Sequence, residues 1–536
     1  MVRRRLDISN TSTLPYFSVI IVGAGPTGLA AGNLLGMMGI DTLILECDAG
    51  LSEYPKAISI DDEGLRICQA MGLQHAVMEH ALLDIEAHYL SGEHLLARVA
   101  PTSRRNGFPL ISTFHQPTLE AILRNGLKRF ACVSIQFQSE VERFEQQSGG
   151  VVVTVNTPGE SGSGSSSRSI ECAYLLACDG GKSSIRRALN IAMRGSTYAQ
   201  KWLVIDTEQD TDSSTAARFF CNPDRPAVTV PAPQLGRRWE FMLLPGETEE
   251  DLLQAGRAHQ LIRQSGGMFA PQITRRVVYT FHAASAATYS QGRVFLLGDA
   301  AHMMPPFGGQ GMNCGLRDAH NLCWKLRLAL QGLAHSSLLE SYSVERRQHT
   351  KQLIRLSTFL GNIVMPTSKP LALLRDAVFR ALNSIPAIRH FLSEAGIKPQ
   401  PRYTKGFLLF GPVGTRFIAS FTSSVLPFTT SMTGMMLPQP EIVVDEGKKT
   451  LLDNALGPGF ALLRLHDDPQ TAFAMLKSDI WQRLDVRFVA MQNYVEDFPL
   501  RNPDLFVLVR PDRYVLGIFK EAQEGAFAAR LQAMLK

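Results

Sequence analysis

Apolar and polar positions divide the chain into recognisable elements. Residues 17–22 form a short β-branched run that predicts a buried strand, and residues 27–38 are small and apolar, as suits a helix. Residues 41–45 read as a second strand. Residues 151–156 and 169–178 read as paired strands, with the Gly/Ser stretch 159–167 as their hairpin tip. Between Arg194 and Tyr289 the pattern changes to strand-like runs at 202–206, 227–230, 238–244 and 275–282, predicting a β-rich insert that forms one wall of a substrate cavity. Residues 293–297 then return as a strand. Residues 316–330 and 338–360 are helical by apolar spacing, with Gly332 as a stop for the first. Pro-rich residues 398–402 and Gly411-Pro412 mark a linker. Beyond it, strand-like runs at 407–410, 460–465 and 505–509 suggest a separate α/β domain. No repeat period emerges.

Chemistry enters at two glycine-rich segments far apart in the chain. The first is Gly23-Ala24-Gly25-Pro26-Thr27-Gly28, between the first strand and the first helix. Gly23, Gly25 and Gly28 there allow a tight turn, close approach of a pyrophosphate and close helix–strand packing, and the helix N-terminus faces phosphate. Glu46 ends the second strand roughly twenty residues past the glycines, where an acid accepts from ribose hydroxyls and disfavours a 2′-phosphate. The second segment is Gly298-Asp299-Ala300-Ala301-His302, running on to Pro305-Pro306-Phe307-Gly308-Gly309-Gln310-Gly311-Met312-Asn313. An NAD site needs no such distant Asp and helix start, whereas the long FAD molecule spans both. The pair reads as a flavoprotein. A rival reading takes Arg3, Arg4 and Arg5 with the apolar residues 14–40 as a signal peptide or membrane span. Pro15, Pro26 and the glycines interrupt that run, and it leads into Glu46.

Composition narrows the class further. A chain of 536 residues with 45% hydrophobic residues implies two or three domains with large cores. The net charge of +5 is small for that size, and no basic run with interleaved aromatics points to nucleic acid. The eight cysteines form no Cys-x-x-Cys pair and no zinc spacing, so no metal is expected and the thiols read as reduced, in a cytoplasmic protein.

These segments, together with Pro55-Lys56-Ala57, Ile60-Asp61-Asp62-Glu63, residues 114–120, Asp179-Gly180 to Arg186, Trp239-Glu240-Phe241, Glu345-Arg346-Arg347 and residues 456–460 and 509–514, resemble the single-component FAD-dependent aromatic hydroxylases. The resemblance is to their long subgroup, which includes 3-(3-hydroxyphenyl)propionate, phenol and aromatic polyketide hydroxylases. It covers nearly the whole chain, and residues 298–313 are its most specific part. It implies an α/β fold: a Rossmann-like FAD-binding domain at 15–193 and 290–397, a β-rich substrate-binding insert at 194–289 and a thioredoxin-like domain at 403–536. No Cys lies beyond Cys323, so the last domain lacks the thiols of disulfide exchange and suits packing or homodimerisation.

The resemblance also assigns roles. Asp299 would hold the ribityl chain, the alternative being a helix N-cap. Gly308, Gly309 and Gly311 would let backbone N–H groups crowd the flavin ring, and Met312 and Asn313 would open a helix whose N-terminus stabilises the anionic reduced flavin. The carbonyl of Pro306 would lie over the reactive face, so the flavin-face backbone at Pro306 and Gly309 stands in for an unassigned catalytic side chain. Gln116 would contact the flavin chain, or simply start a helix. Asp179, with Ser183 and Arg186, would support the pyrophosphate and a visiting NAD(P)H, or cap a turn. His302 is read as a packing residue. Lys56 stands where the family usually has Arg, which keeps the charge and loses bidentate bonding.

The implied reaction is a monooxygenation. NAD(P)H reduces FAD, O2 adds at flavin C4a and the hydroperoxide hydroxylates a small aromatic substrate. Baeyer–Villiger or epoxidising chemistry on a polyketide-like substrate is the alternative. Residues 283–287 are small where the phenylpropionate hydroxylases carry Arg and Trp, which makes a bulkier, less acidic phenol or polycycle at least as good a fit. Trp239 and Phe241 share one face of a strand, with Arg238 and Glu240 on the other. They are read either as core or as the cavity wall that holds the aromatic ring. No integral membrane segment and no nucleic-acid partner are expected.

Overall fold

The computed structural model describes residues 14–158, 165–210, 212–267, 272–410, 432–443, 449–468, 471–491 and 498–536. Arg3–Arg5, Gly411-Pro412 and most of the Gly/Ser hairpin tip lie outside these residues.

The first apolar run forms β1 (Tyr16–Val22), followed by α1 (Pro26–Met37) and β2 (Thr42–Leu45). β1 is the centre of a sheet in which Val133–Gln136, β2, β1, Ser165–Ala177 and Val294–Leu296 lie side by side and parallel. Val19, Ile20 and Ile21 are fully buried, as in a sheet covered on both faces. The run from 14 to 40 is therefore a strand, turn and helix. Among the described residues no helix is long and apolar enough to cross a membrane.

A second eight-stranded sheet forms a wall over the first. Its order is His302–Met303, Gln272–Ala286, Met193–Glu208, Gly236–Met242, Ala227–Ala232, Ala217–Phe220, Ala87–Ser91 and His94–Val99. Its last two strands come from residues well before Arg194, in a stretch the sequence reading placed with the nucleotide-binding part. Its other edge matters more. Val294–Leu296 belongs to the first sheet, whereas His302–Met303 pairs with Ala284 and Ser285 in the second. Asp299 and the glycine-rich stretch that follows are thus hung between the two sheets.

Helices Gly311–Leu330 and Glu340–Val364 fall where the apolar spacing put them, and Gly332 between them has a φ of +67°. The C-terminal unit has a four-stranded sheet ordered Arg487–Met491, Ala461–Leu465, Leu505–Val509, Val515–Lys520, followed by helix Glu524–Leu535. The first pair is parallel and the others antiparallel. Residues 407–410, read from sequence as a strand, are not one: Leu409 makes a single isolated bridge to Gly517. Phe407 and Leu409 instead pack into the buried seam between units, with Phe407 beside Trp324, while Phe410 is exposed. A buried ion cluster, Lys325 and Arg510 on Glu345 at 2.8 Å each, fastens the same seam.

Candidate active site

One continuous cleft of about 1150 Å3 runs between the two sheets. At one end it is lined by the first glycine turn, Glu46, Lys56, Gln116 and Asp179. In the middle it meets Asp299 and residues 303–313, and beyond them it opens under the wall sheet.

The turn is closed by contacts only glycine permits. Gly23 has a φ of +104°, and a Cβ on Gly28 would overlap the Gly23 carbonyl oxygen. At Gly25 a Cβ would meet nothing within 4 Å, so this face is open to the cleft. α1 begins there with no side-chain cap, leaving its first N–H groups facing the same space. Glu46 stiffens the turn: its Oε2 accepts from Ala24 N at 2.6 Å. Asp179 accepts from Ile185 N at 3.3 Å through Oδ2, while its buried Oδ1 has no partner. Arg186 does not reach the cleft. Its guanidinium donates to the carbonyls of Gly181 and Ala300.

The Pro55–Ala57 loop is clamped from both sides. Gln116 Oε1 accepts from Lys56 N at 2.8 Å and Ala57 N at 2.6 Å, and its Nε2 donates to Glu120. From the wall, Arg238 donates to the carbonyls of Lys56 (2.8 Å) and Pro55 (2.6 Å) while paired with Asp206 at 2.7 Å. Gln116 therefore acts on the loop through its backbone, and the Lys56 side chain is left exposed.

Asp299 caps no helix. The short 3-10 turn around it and the helix starting at Gly311 both lack a side-chain cap bond. Its carboxylate opens to the cleft, yet burial by the surrounding protein raises its pKa, offset in part by His302 and Lys56. His302 is fully buried, with Nε2 2.6 Å from Asp318 Oδ2. Asp318 also accepts from Gly298 N and Arg346 Nε, and these cations and hydrogen bonds hold its pKa below the usual carboxylate range despite burial. The packing role expected for His302 is the one it occupies. Pro306 O accepts from Gly309 N at 2.9 Å, and the Asn313 side chain stitches Gly309 O to the backbone of Ser59 and Asp61. Asn313 thus shapes the loop with its side chain, while Gly311 and Met312 line the cleft at the helix start.

The Asp179 oxygen and the Asp299 carboxylate, both without a hydrogen-bond partner among the described residues, and the uncapped N-termini of α1 and the Gly311 helix all face one channel. That is the donor and acceptor set a dinucleotide with a polyhydroxyl chain requires. The residues fit FAD.

Under the wall sheet, of the two readings open for Trp239 and Phe241, the structure has the core one, and neither side chain lines the cleft as a substrate contact. Both are fully buried and stack at 6.3 Å on the far face of the strand, against Leu261 and Ile262 of helix Ala255–Gln264. Strand alternation sends Arg238 and Glu240 into the cleft instead. The sequence showed the alternation and not which face was covered. The lining there is apolar, with Tyr89 stacked on Phe219 at 4.7 Å, and Trp202 and Phe281 packed around Phe307 at 5.6 and 6.2 Å.

Comparison with known proteins agrees with this geometry. The family described as FAD binding domain matches residues 16–357, and that described as HcaD C-terminal domain matches residues 434–504. The chain is 36% identical over 529 residues to a 3-(3-hydroxy-phenyl)propionate/3-hydroxycinnamic acid hydroxylase of Escherichia coli O139:H28, covering 93% of this chain and 91% of that one. It is 34% identical over 526 residues to the protein of the same name from Mycobacterium sp. strain KMS, covering 96% and 86%. Among solved structures, the flavin-dependent monooxygenase PieE in complex with FAD and substrate superposes with a TM-score of 0.77 at 21% identity, covering 97% of this chain and 99% of that one. Aklavinone-11 hydroxylase with FAD and aklavinone gives 0.76 at 21% identity, covering 98% and 100%.

Proposed function

The chain belongs to the FAD binding domain family of flavin-dependent aromatic hydroxylases, and on that premise we propose that it hydroxylates a phenolic ring with NAD(P)H and O2. The observation that carries this is the single channel joining a dinucleotide turn, Asp299 and an apolar chamber large enough for a ring. FAD, reduced by NAD(P)H, supplies the activated oxygen. Everything else is the work of this chain's residues. The α1 N-terminus takes the pyrophosphate, Glu46 braces the turn and Asp299 holds the ribityl hydroxyls. Gly309, Gly311 and Met312 present backbone to the ring system, with Lys56 and Asp179 beside the path of a visiting nicotinamide nucleotide. The walls around Tyr89, Phe219 and Phe281 exclude water, which protects reactive oxygen from being lost as peroxide.

The substrate class rests on the lining. Among the described residues, the cations on the chamber side, Arg238 and Lys398, are already paired with Asp206 and with the Asp61–Glu63 acids. A neutral phenol or polycycle is better served there than an acid. We read the C-terminal unit, which packs against the FAD-binding part, as thioredoxin-like; its four-stranded mixed sheet and final helix support that reading. Eight free cysteines suit the reducing cytoplasm.

The test uses the purified full chain, which should be yellow, with roughly one FAD released by acid or heat per chain. NAD(P)H oxidation, O2 uptake and product mass are followed with 2-naphthol and with 3-(3-hydroxyphenyl)propionate. Hydroxylated product supports the reading. Protein that gains no flavin absorbance on adding FAD overturns it.

A further inference from the structure

Glu240 is the charged group the cleft does not explain. It is 8% exposed and lies on Gly236–Met242, flanked in register by Val204 and Val228 of the neighbouring strands. Val204, Val228 and Glu240 all line the cleft. Among the described residues nothing donates a hydrogen bond to it. Arg238, two residues along the same face, spends its guanidinium on Asp206 and on the carbonyls of Pro55 and Lys56. The other charged or titratable groups on this side of the cleft are Asp206, bonded to Arg238 and Arg275, Tyr279, which accepts from Arg275, Tyr89, stacked on Phe219, and His282, bonded to Thr197. The Ala227–Ala232 strand offers only Val228 and Val230 to the cleft. A carboxyl buried among valines without a donor is costly, and such groups mark sites awaiting a ligand.

Its position gives the ligand a geometry. On one side the wall is tied to the Pro55–Ala57 loop through Arg238. On the other it touches the glycine-rich loop through Trp202, paired with Met242, against Phe307. Glu240 stands between these two ties, over the chamber into which both loops face.

Resting on the hydroxylase reading above, we propose that Glu240 is the proton acceptor for the substrate's phenolic hydroxyl. The phenol O–H bond breaks toward the Glu240 carboxylate. The oxygen's electron pair feeds the ring, and the ring carbon forms its new C–O bond with one oxygen of O2 as the O–O bond breaks, the other oxygen leaving as water with the electrons of NAD(P)H. Rearomatisation expels the ring proton, and Glu240 returns its own. The sum is ArH, O2, NAD(P)H and H+ giving ArOH, H2O and NAD(P)+. Burial holds the Glu240 pKa up at about 7, with Asp206 adding to the effect and Arg238 opposing it, which suits a base working near neutrality.

The test uses the FAD-loaded full chain, its E240Q and E240D variants, and whichever of 2-naphthol and 3-(3-hydroxyphenyl)propionate the wild type hydroxylates. Wild-type hydroxylation should rise with pH through about 7. E240Q should lose that rise and fall on the order of a hundredfold on the alkaline side, with FAD content unchanged; E240D should keep the rise. Titration calorimetry of the same phenol, in two buffers of different ionisation enthalpy on the acid side of that rise, should show proton release on binding to wild type and none with E240Q. An E240Q protein that keeps both the pH rise and the proton release overturns the assignment while leaving the hydroxylase reading intact. If E240Q does not fold, loss of the rise in E240D overturns it. A wild type that hydroxylates neither phenol overturns the hydroxylase reading, and Glu240's role with it.

Discussion

At the dinucleotide end of the cleft, a ligand meets backbone N–H groups, glycines and the carboxylates of Asp179 and Asp299. Under the wall sheet it meets mainly aliphatic and aromatic side chains, with the Glu240 carboxylate set among them. The first end is built from contiguous segments, each a strand, a turn and a helix start. The second takes one to four residues from each of many strands, drawn from residues 87 to 282, and two from helix Glu340–Val364. Backbone recognition tolerates side-chain change and demands glycine, whereas side-chain recognition demands a face. Substitutions should therefore act in different currencies at the two ends.

The sharpest break is expected at the turn. In Gly28→Val the new Cβ lands on the Gly23 carbonyl oxygen, so either the turn or the start of α1 must move. Overpacking of that kind costs on the order of 1–3 kcal/mol even where side chains can yield, and here the obstacle is backbone. Flavin absorbance relative to protein absorbance should fall to near zero. A yellow Gly28→Val protein would show that this end is not the rigid cradle described.

On the wall, Trp239→Ala should cost about 3–5 kcal/mol of stability, since a large buried side chain is removed from the packing against Leu261 and Ile262. Its effect on KM for a phenolic substrate should be small, because the indole lies on the far face. Urea unfolding and KM measured on the same preparation separate the two. A large KM change at normal stability would return Trp239 to the cleft.

Those two positions also show what the sequence could disclose. The places of Gly23, Gly25, Gly28 and Glu46 on the cleft were legible because spacing along one βαβ unit fixes their geometry, and that of Asp299 because residues 298–313 stay together as one strand and loop; that the Glu46 carboxylate takes the Ala24 and Asp48 amides was not. Trp239 and Phe241 stayed between core and cavity wall because alternation gives two faces without saying which is roofed by a helix. Helix Ala255–Gln264, distant in sequence, decides it. The signal that could have found Glu240 was present: a carboxylate between two aromatics in a strand must either face water or serve a site. The clamp of Arg238 on Pro55 and Lys56 spans 183 and 182 residues, and no local pattern announces it.

Glu240 should also leave a mark on stability. Burial raises its pKa from the ordinary carboxyl value to about 7, so between those values the folded chain holds a proton that the unfolded chain releases. Stability therefore falls as pH rises across that window. E240Q removes the penalty, so its advantage over wild type should be absent near the ordinary carboxyl pKa and grow to about 3 kcal/mol or less once the pH exceeds about 7. Thermal melts at several pH values check this. A constant difference between the two proteins would mean that Glu240 is not an unpaired buried acid.

The smallest of these effects is the most direct test of the cofactor end. Asp299 projects from the turn after strand Val294–Leu296, where Gly298 has a φ of +58° and Asp318 holds the Gly298 amide at 3.0 Å. The carboxylate is thus carried on a fixed backbone and has no helix to cap. If it accepts from ribityl hydroxyls, Asp299→Ala should weaken FAD binding by about 1.5–3 kcal/mol, roughly tenfold or more. pH supplies a second reading. Burial raises the Asp299 pKa, so acidification protonates it sooner than an ordinary Asp and its acceptor strength declines. FAD affinity of the wild type should then drop as pH falls through that raised value, narrowing the gap to Asp299→Ala, while Asp299→Asn should show no such slope. Fluorescence titration of FAD against each protein resolves the three curves. Equal affinities at every pH would assign the ribityl chain to backbone donors alone, making the dinucleotide end a site without an essential side chain and the contrast with Glu240 complete.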